Sequence, residues 1–301
     1  MGFSGEVGRR GLLIAGAGLL VGCSSSESPS STPPPSAGPT TPTPTPAPTP
    51  SSSLPSTTQP GPVLPSVRAW VPGPGEVAPQ VKRIAVAAVM EMLQQEQSVV
   101  EVIDAQYGGI LGSTASVLVP CRVYSLTAGR VVTGGTTVDV RLSRSGETWR
   151  VTATHPAVPG AAAKTISAVA RQVLATKQIL LPPASIADVR SGQVHDSVLT
   201  AMLQLAKTYR IGVSVIRSGH PINVFGTDRP SDHPQGRAFD TWEIDGQAVV
   251  SPSTSRSLIS TYMKAAERIG SYNVGGPVVL SGAAFFSDQT HHDHVHAGFR
   301  I

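Results

Sequence analysis

Residues that can do chemistry crowd the C-terminal end of this 301-residue chain. All eight histidines lie after Arg150, and four of them fall between His291 and His296. Two stretches stand out. One is the decapeptide Ser231-Asp232-His233-Pro234-Gln235-Gly236-Arg237-Ala238-Phe239-Asp240, which fits S-x-H-x-x-G-x-A-x-D; the other is His294-Val295-His296. Five fixed positions of this kind arise by chance in roughly one chain in several thousand, before the second motif is required. His233 falls on a loop that Gly236 allows to turn, and a strand over Arg237–Ile244 puts Ala238 and Asp240 on one face, because side chains alternate along a strand. The small Ala238 leaves room for a metal beside Asp240. A second strand over Asp293–Arg300 turns His294 and His296 to one face and Val295, Ala297 and Phe299 to the other. One face packs and the other is left for chemistry. A catalytic zinc usually takes three protein N or O donors and keeps one position for water.

Together the two motifs resemble the family that groups lysostaphin-type endopeptidases, D-alanyl-D-alanine metallopeptidases and the hedgehog signalling domain. The resemblance covers about Ile186–Ile301. It implies Zn2+ held by His233, Asp240 and His296, a set of two imidazoles and one carboxylate that suits zinc. In the D-Ala-D-Ala branch a Glu stands three residues before the last ligand His; here that place is Asp293, one methylene shorter. In the lysostaphin branch the first His of H-x-H moves the proton, which points to His294. Either can take a proton from water acidified by the metal. His294 is the preferred base, with Asp293 orienting a histidine or acting as base itself. Arg217, in Val215-Ile216-Arg217-Ser218-Gly219-His220, stands in a place similar to an arginine that D-Ala-D-Ala metallopeptidases use near the scissile carbonyl, which implies a catalytic or substrate-binding guanidinium; the alternative is an Arg that ends a strand and pairs with a surface carboxylate. By the same likeness His220 lines the cleft, and Ser231 binds substrate or braces its loop. His291 and His292 read as rim residues, and His155 and His195 as structural or surface residues.

Other chemistries are excluded by what is missing. A formal net charge of +4, small and scattered, argues against nucleic-acid binding. Two cysteines, Cys23 and Cys121, rule out a disulfide scaffold and a Cys-rich zinc finger. None of the lysines has a Ser three residues before it, and there is no G-x-S-x-G, H-E-x-x-H, P-loop or G-x-G-x-x-G. Cys121 reads as a buried small hydrophobe on a strand.

The N-terminus reads as an address. Arg9-Arg10, the apolar run Gly11–Gly22 and then Cys23 form an export signal over 1–22, too short to span a bilayer. Leu20-Val21-Gly22-Cys23 resembles the bacterial lipobox, which implies lipidation of Cys23, and Arg9-Arg10 resembles a twin-arginine signal. The stretch 23–66 carries 14 of the 27 prolines and a single charge, Glu27, so it has too little to bury and reads as a disordered tether. At ~3.1 Å per residue it reaches on the order of 130 Å when extended.

The body reads as α+β and divides into 67–160 and 161–301. Leu181-Pro182-Pro183 marks a break, and the amphipathic helix Ala163–Thr176 before it fits either part. In the first part, Val81, Ile84, Ala85, Ala88 and Met92 recur at helical spacing over Ala78–Gln95, and a short helix over Val99–Tyr107 follows with Ser98 as N-cap. Strands then run over Ser116–Leu126 and Thr136–Leu142, the latter pairing with Thr148–Ala153. Two helices and a curved antiparallel sheet resemble the cone-shaped domain of the nuclear-transport-factor-like fold. In the second part a helix over Val194–Arg210 and a strand over Ile211–Arg217 precede the motifs, and a small antiparallel sheet is expected. The whole reads as a zinc peptidase, exported and lipid-anchored to the cell membrane facing the wall, that hydrolyses peptidoglycan stem peptides or cross-bridges. The alternative is a catalytically silent zinc lipoprotein that binds wall peptides or a protein partner. A third reading makes the middle domain the functional module.

Overall fold

The valine-rich stretch after the first helix folds as sheet. In the computed structural model, which describes residues 61–301, helix α1 (Pro79–Leu93) leads into strands β1 (Ser98–Val102), β2 (Gln106–Leu111), β3 (Thr114–Thr127), β4 (Arg130–Ser145) and β5 (Thr148–Pro156). The export signal, Cys23 and the linker as far as residue 60 lie outside the described residues. The short helix expected over Val99–Tyr107 is instead β1 and the start of β2. Ser98, Val100 and Val102 are buried while Val99 and Glu101 are half-buried, a period of two that β-branched valines favour, and Ser98 pairs with Ser125 across the sheet where a helix cap was expected. The two-helix lead-in on which the cone-shaped likeness rests is therefore a single helix.

This first sheet is wholly antiparallel, in the order β1-β3-β4-β5, with β2 on the other half of the long β3. The expected hairpin is present, with Arg141 opposite Ala153 and Leu142 opposite Val151. Helix α1 packs on the sheet through Val81, Ala85 and Val89, which meet Tyr107, Val117, Val119, Cys121, Val138 and Val140. Met92, expected on the apolar stripe, is exposed, and Lys82 takes a fully buried place on it. Cys121 is buried, and burial pushes its thiol up to about 12, as befits a packing residue.

After β5 come α2 (Ala168–Ala175), β6 (Ile179–Leu180), α3 (Pro183–Ser191), α4 (Asp196–Leu205), β7 (Ile211–Val215), β8 (Ala238–Ile244), β9 (Gln247–Ala248), α5 (Arg256–Arg268), β10 (Asn273–Gly275), β11 (Phe285–Phe286) and β12 (Val295–Gly298). The helices expected over Ala163–Thr176 and Val194–Arg210 are shorter than their apolar spacing suggested. Ser167 caps α2 by accepting from the Ala170 N–H, which starts that helix late. Helix α5 is a further element, capped by Ser255 and buried along Ile259, Tyr262, Met263 and Ala266. The second sheet runs β11-β10-β12-β8-β7-β6, with β9 on β8. It is mixed where an antiparallel sheet was expected, because the outer pairs β6–β7 and β10–β11 are parallel. Its core joins Val198, Met202 and Leu205 of α4 to Ile211, Val213, Phe239, Tyr262, Val295 and Phe299.

The two sheets belong to one compact unit. The loop 221–230 lies against β2, where Phe225 meets Gly109 so closely that a Cβ there would fall 2.1 Å from the ring. Arg141 of β4 stands over that ring, 5.5 Å from its centroid. Gly109→Val is therefore expected to destabilise the protein by about 1–3 kcal/mol through overpacking. Urea unfolding checks it; a variant as stable as the wild type would mean that Phe225 does not seat on this strand.

Candidate metal centre

Two neighbouring strands and one loop build the site. Strands β8 and β12 are antiparallel with His296 directly opposite Asp240, so both side chains rise from the same face of the sheet. His233 comes from the loop before β8. Its Gly236 has φ +69°, and a Cβ there would lie 2.1 Å from the Gln193 carbonyl oxygen. The turn is closed by the Gly236 N–H donating to the His233 carbonyl, and by Arg237 Nη2 and the Tyr272 hydroxyl both donating to Asp232. Ser231 braces the same loop, accepting weakly from the His233 N–H at 3.4 Å.

The result is a tight triangle of electron-pair donors. His233 Nε2 lies 3.1 Å from Asp240 Oδ1 and 3.1 Å from His296 Nδ1, and the last two are 3.0 Å apart. His233 Nδ1 is 2.7 Å from the Ile216 carbonyl, so in the neutral ring the proton sits there and Nε2 offers its lone pair. A cation at the focus of the three facing atoms would satisfy all of them. The edges of a tetrahedral site with bonds of about 2.0–2.1 Å would measure about 3.3–3.4 Å, so the triangle fits a small divalent ion within a few tenths of an ångström. Asp240 and His233 together with His220 also bring three ligand atoms within 4.8 Å of one another, and this buried group could hold a metal ion. The His220 ring is stacked on His233, with centroids 4.1 Å apart and planes 16° from parallel. An ion in the plane of one stacked ring lies well out of the plane of the other, whereas the His296 ring is inclined 58° to His233 and meets no such conflict.

Charge around the triangle is set by burial and by these neighbours. Burial alone would raise Asp240, but the charges of His233 and His294 outweigh it and hold the carboxyl well below the usual range. Burial pushes His296 down to about 4 and His220 well below its ordinary value. Burial also opposes a charged His294, yet Asp240 and Asp293 raise it above the ordinary histidine value.

Asp293 and His294 form a pair beside the triangle. His294 Nδ1 is 2.6 Å from Asp293 Oδ1, and its Nε2 faces Asp240 Oδ2 at 3.8 Å. The other Asp293 oxygen accepts from Lys82 Nζ at 2.6 Å and from the Tyr107 N–H at 3.0 Å. Although burial works against it, the charge of Lys82 holds the Asp293 carboxyl below the usual range. Lys82 reaches across from α1 and Tyr107 from β2, as does Gln106, whose Nε2 donates to Asp240 Oδ2 at 2.6 Å. Sequence patterns name none of these three; the one available sign was a lysine at 82 on the buried stripe with Ala85 and Val89.

A cleft of about 670 Å3 opens on the site. His220, Ser231, His233, Asp240, His294 and His296 line it, with Tyr107, Ile110, Phe225 and Phe286 adding apolar walls. Arg217 is not among the lining residues. Its guanidinium stands 3.8 Å from the buried Asp188, whose other oxygen accepts from the Arg217 and Ser218 N–H groups, so Arg217 helps to hold the turn before His220. Gly236→Ala is expected to lower the melting temperature and weaken metal binding, since the left-handed backbone costs a side chain about 1–2 kcal/mol even before the clash; an unchanged thermal unfolding curve and metal affinity would count against this loop geometry. No family model matches the chain, and neither a curated protein nor a solved structure does.

Proposed function

We propose that the protein is a zinc-dependent peptidase of the cell envelope, acting on peptidoglycan stem peptides or cross-bridges. The observation that carries the reading is the triangle of His233, Asp240 and His296 with His294 poised beside it. His296 is preferred to His220 as the third ligand because its ring can point at the shared focus. The motif resemblance and the lipobox-like N-terminus supply the substrate class and the location, with Cys23 as the lipid anchor.

A bound zinc would polarise the scissile carbonyl and lower the pKa of water towards ~7. His294 then serves as the base. Its Nδ1–H donates to Asp293, so Nε2 carries the lone pair and turns to the cleft, where it takes a proton from water and returns it to the leaving amine. Asp293 is occupied on both oxygens, by His294 on one and by Lys82 and Tyr107 on the other, and so orients the imidazole. His220 and Ser231 line the substrate path. Of the two arginines on the cleft, Arg237 pairs with Asp232, while Arg229 is exposed at the rim and is the cation placed to meet a substrate carboxylate. Arg217, expected in that role from the resemblance, takes a supporting one.

Incubating the purified protein with muropeptides is expected to give cleavage that a chelator abolishes and added zinc restores. No cleavage by zinc-loaded protein would defeat the enzyme reading and leave a wall-peptide-binding lipoprotein. His294→Ala should cut turnover by about 10²–10⁴-fold while zinc stays bound. In metal-free protein the His294 ring protons should titrate above the ordinary histidine pKa of about 6.5, and zinc, by neutralising Asp240, should move that titration to lower pH. Proton NMR reads both, and a His294 pKa below 6.5 without metal would sink the assigned pairing.

A further inference from the structure

The first domain does more than wall the cleft. Three of its residues end on the two acidic side chains of the site. Lys82, from α1, is fully buried and pairs with both Glu76 and Asp293. Tyr107 gives its N–H to the same Asp293 oxygen. Gln106, also fully buried, is held from behind by the Ser214 hydroxyl and donates to the Asp240 oxygen that the triangle does not use. Around them the contact continues, with the Val77 N–H donating to His292 Nε2 at 3.0 Å and the Ile110 N–H to Thr290 Oγ1 at 3.3 Å.

We infer that Lys82 and Gln106 are positioning residues of the site, Lys82 acting through Asp293 on His294 and Gln106 acting through Asp240 on the bound ion. The inference rests on the metallopeptidase reading. Stability alone argues against this arrangement, because a buried ion pair is often matched or bettered by apolar residues of the same volume. A lysine on the apolar stripe of α1 makes sense as the cation for two buried carboxylates. Glu76, His292 and Asp293 also stand close enough to hold an ion of their own. The ammonium of Lys82, already bonded to two of the three, fills that role. With one Asp293 oxygen given to Lys82 and Tyr107, only the other remains for His294, and the imidazole is left a single orientation. Gln106 does for Asp240 what outer-shell partners do for metal ligands, fixing which oxygen faces the ion. The two domains thus share one site, and neither sheet holds all of it.

The two residues act on different steps, so their variants should fail differently. In the full protein, Lys82→Met is expected to lower kcat by about 10–100-fold, with KM and zinc affinity little changed. Gln106→Leu is expected to weaken zinc binding by about 10–100-fold in chelator competition and to alter the visible spectrum of the cobalt-substituted protein. Circular dichroism establishes that each variant is folded. If both folded variants match the wild type in kcat, zinc affinity and cobalt spectrum, or both lose the same properties equally, the inference is overturned. Should Lys82→Met not fold, Gln106→Leu decides alone, and unaltered zinc affinity and cobalt spectrum overturn it. A wild type without turnover defeats the peptidase reading only, because the Gln106→Leu affinity and spectrum still decide between a positioning role and none.

Discussion

Three electron-pair donors held about 3 Å apart in a buried site repel one another unless a positive charge stands between them. That constraint organises the second sheet. Asp240 and His296 are brought opposite each other by the β8–β12 register, and His233 is held against them by a loop with its proton fixed on the far nitrogen. Each of these devices costs conformational freedom, which a cation at the focus would help to offset. The Gly236 turn, the Asp232 anchor to Arg237 and Tyr272, and the Ile216 carbonyl hold His233 in place. Preorganisation of this kind lets a small ion bind without rebuilding its surroundings.

The same need for compensation extends into the first domain. Asp240 and Asp293 are buried carboxylates whose four oxygens are all claimed, and the cation for Asp293 comes from a helix more than two hundred residues earlier in the chain. A glycine makes the close approach possible: Phe225 can seat against β2 because residue 109 has no side chain. Packing and charge therefore work together at this junction.

Much of the centre was legible in the residue order. The decapeptide and the H-x-H named every atom-bearing residue of the triangle, since a metal site on adjacent strands needs donors at alternate positions and a turn that only a glycine makes comfortably. The β4–β5 hairpin was readable from its alternation. Val99–Tyr107 was not, because valines at 99, 100 and 102 satisfy helical and strand spacing alike and only their partners across the sheet decide. Arg217 shows a similar limit: a motif position carries no information about which way a guanidinium turns, and here it stands beside the buried Asp188, 29 residues earlier in the chain.

Local order along the chain thus settled which side chains could bind an ion, where the turn lies that presents His233, and that Asp240 and His296 stand on strands. Folding settled the rest: the pairing of β8 with β12 that sets donor against donor, the stacking of His220 on His233, and the arrival of Lys82 from α1 and Gln106 from β2. Spacing encodes contacts within a few residues, through backbone periodicity. Contacts across two hundred residues depend on how two cores pack, and no local pattern records them.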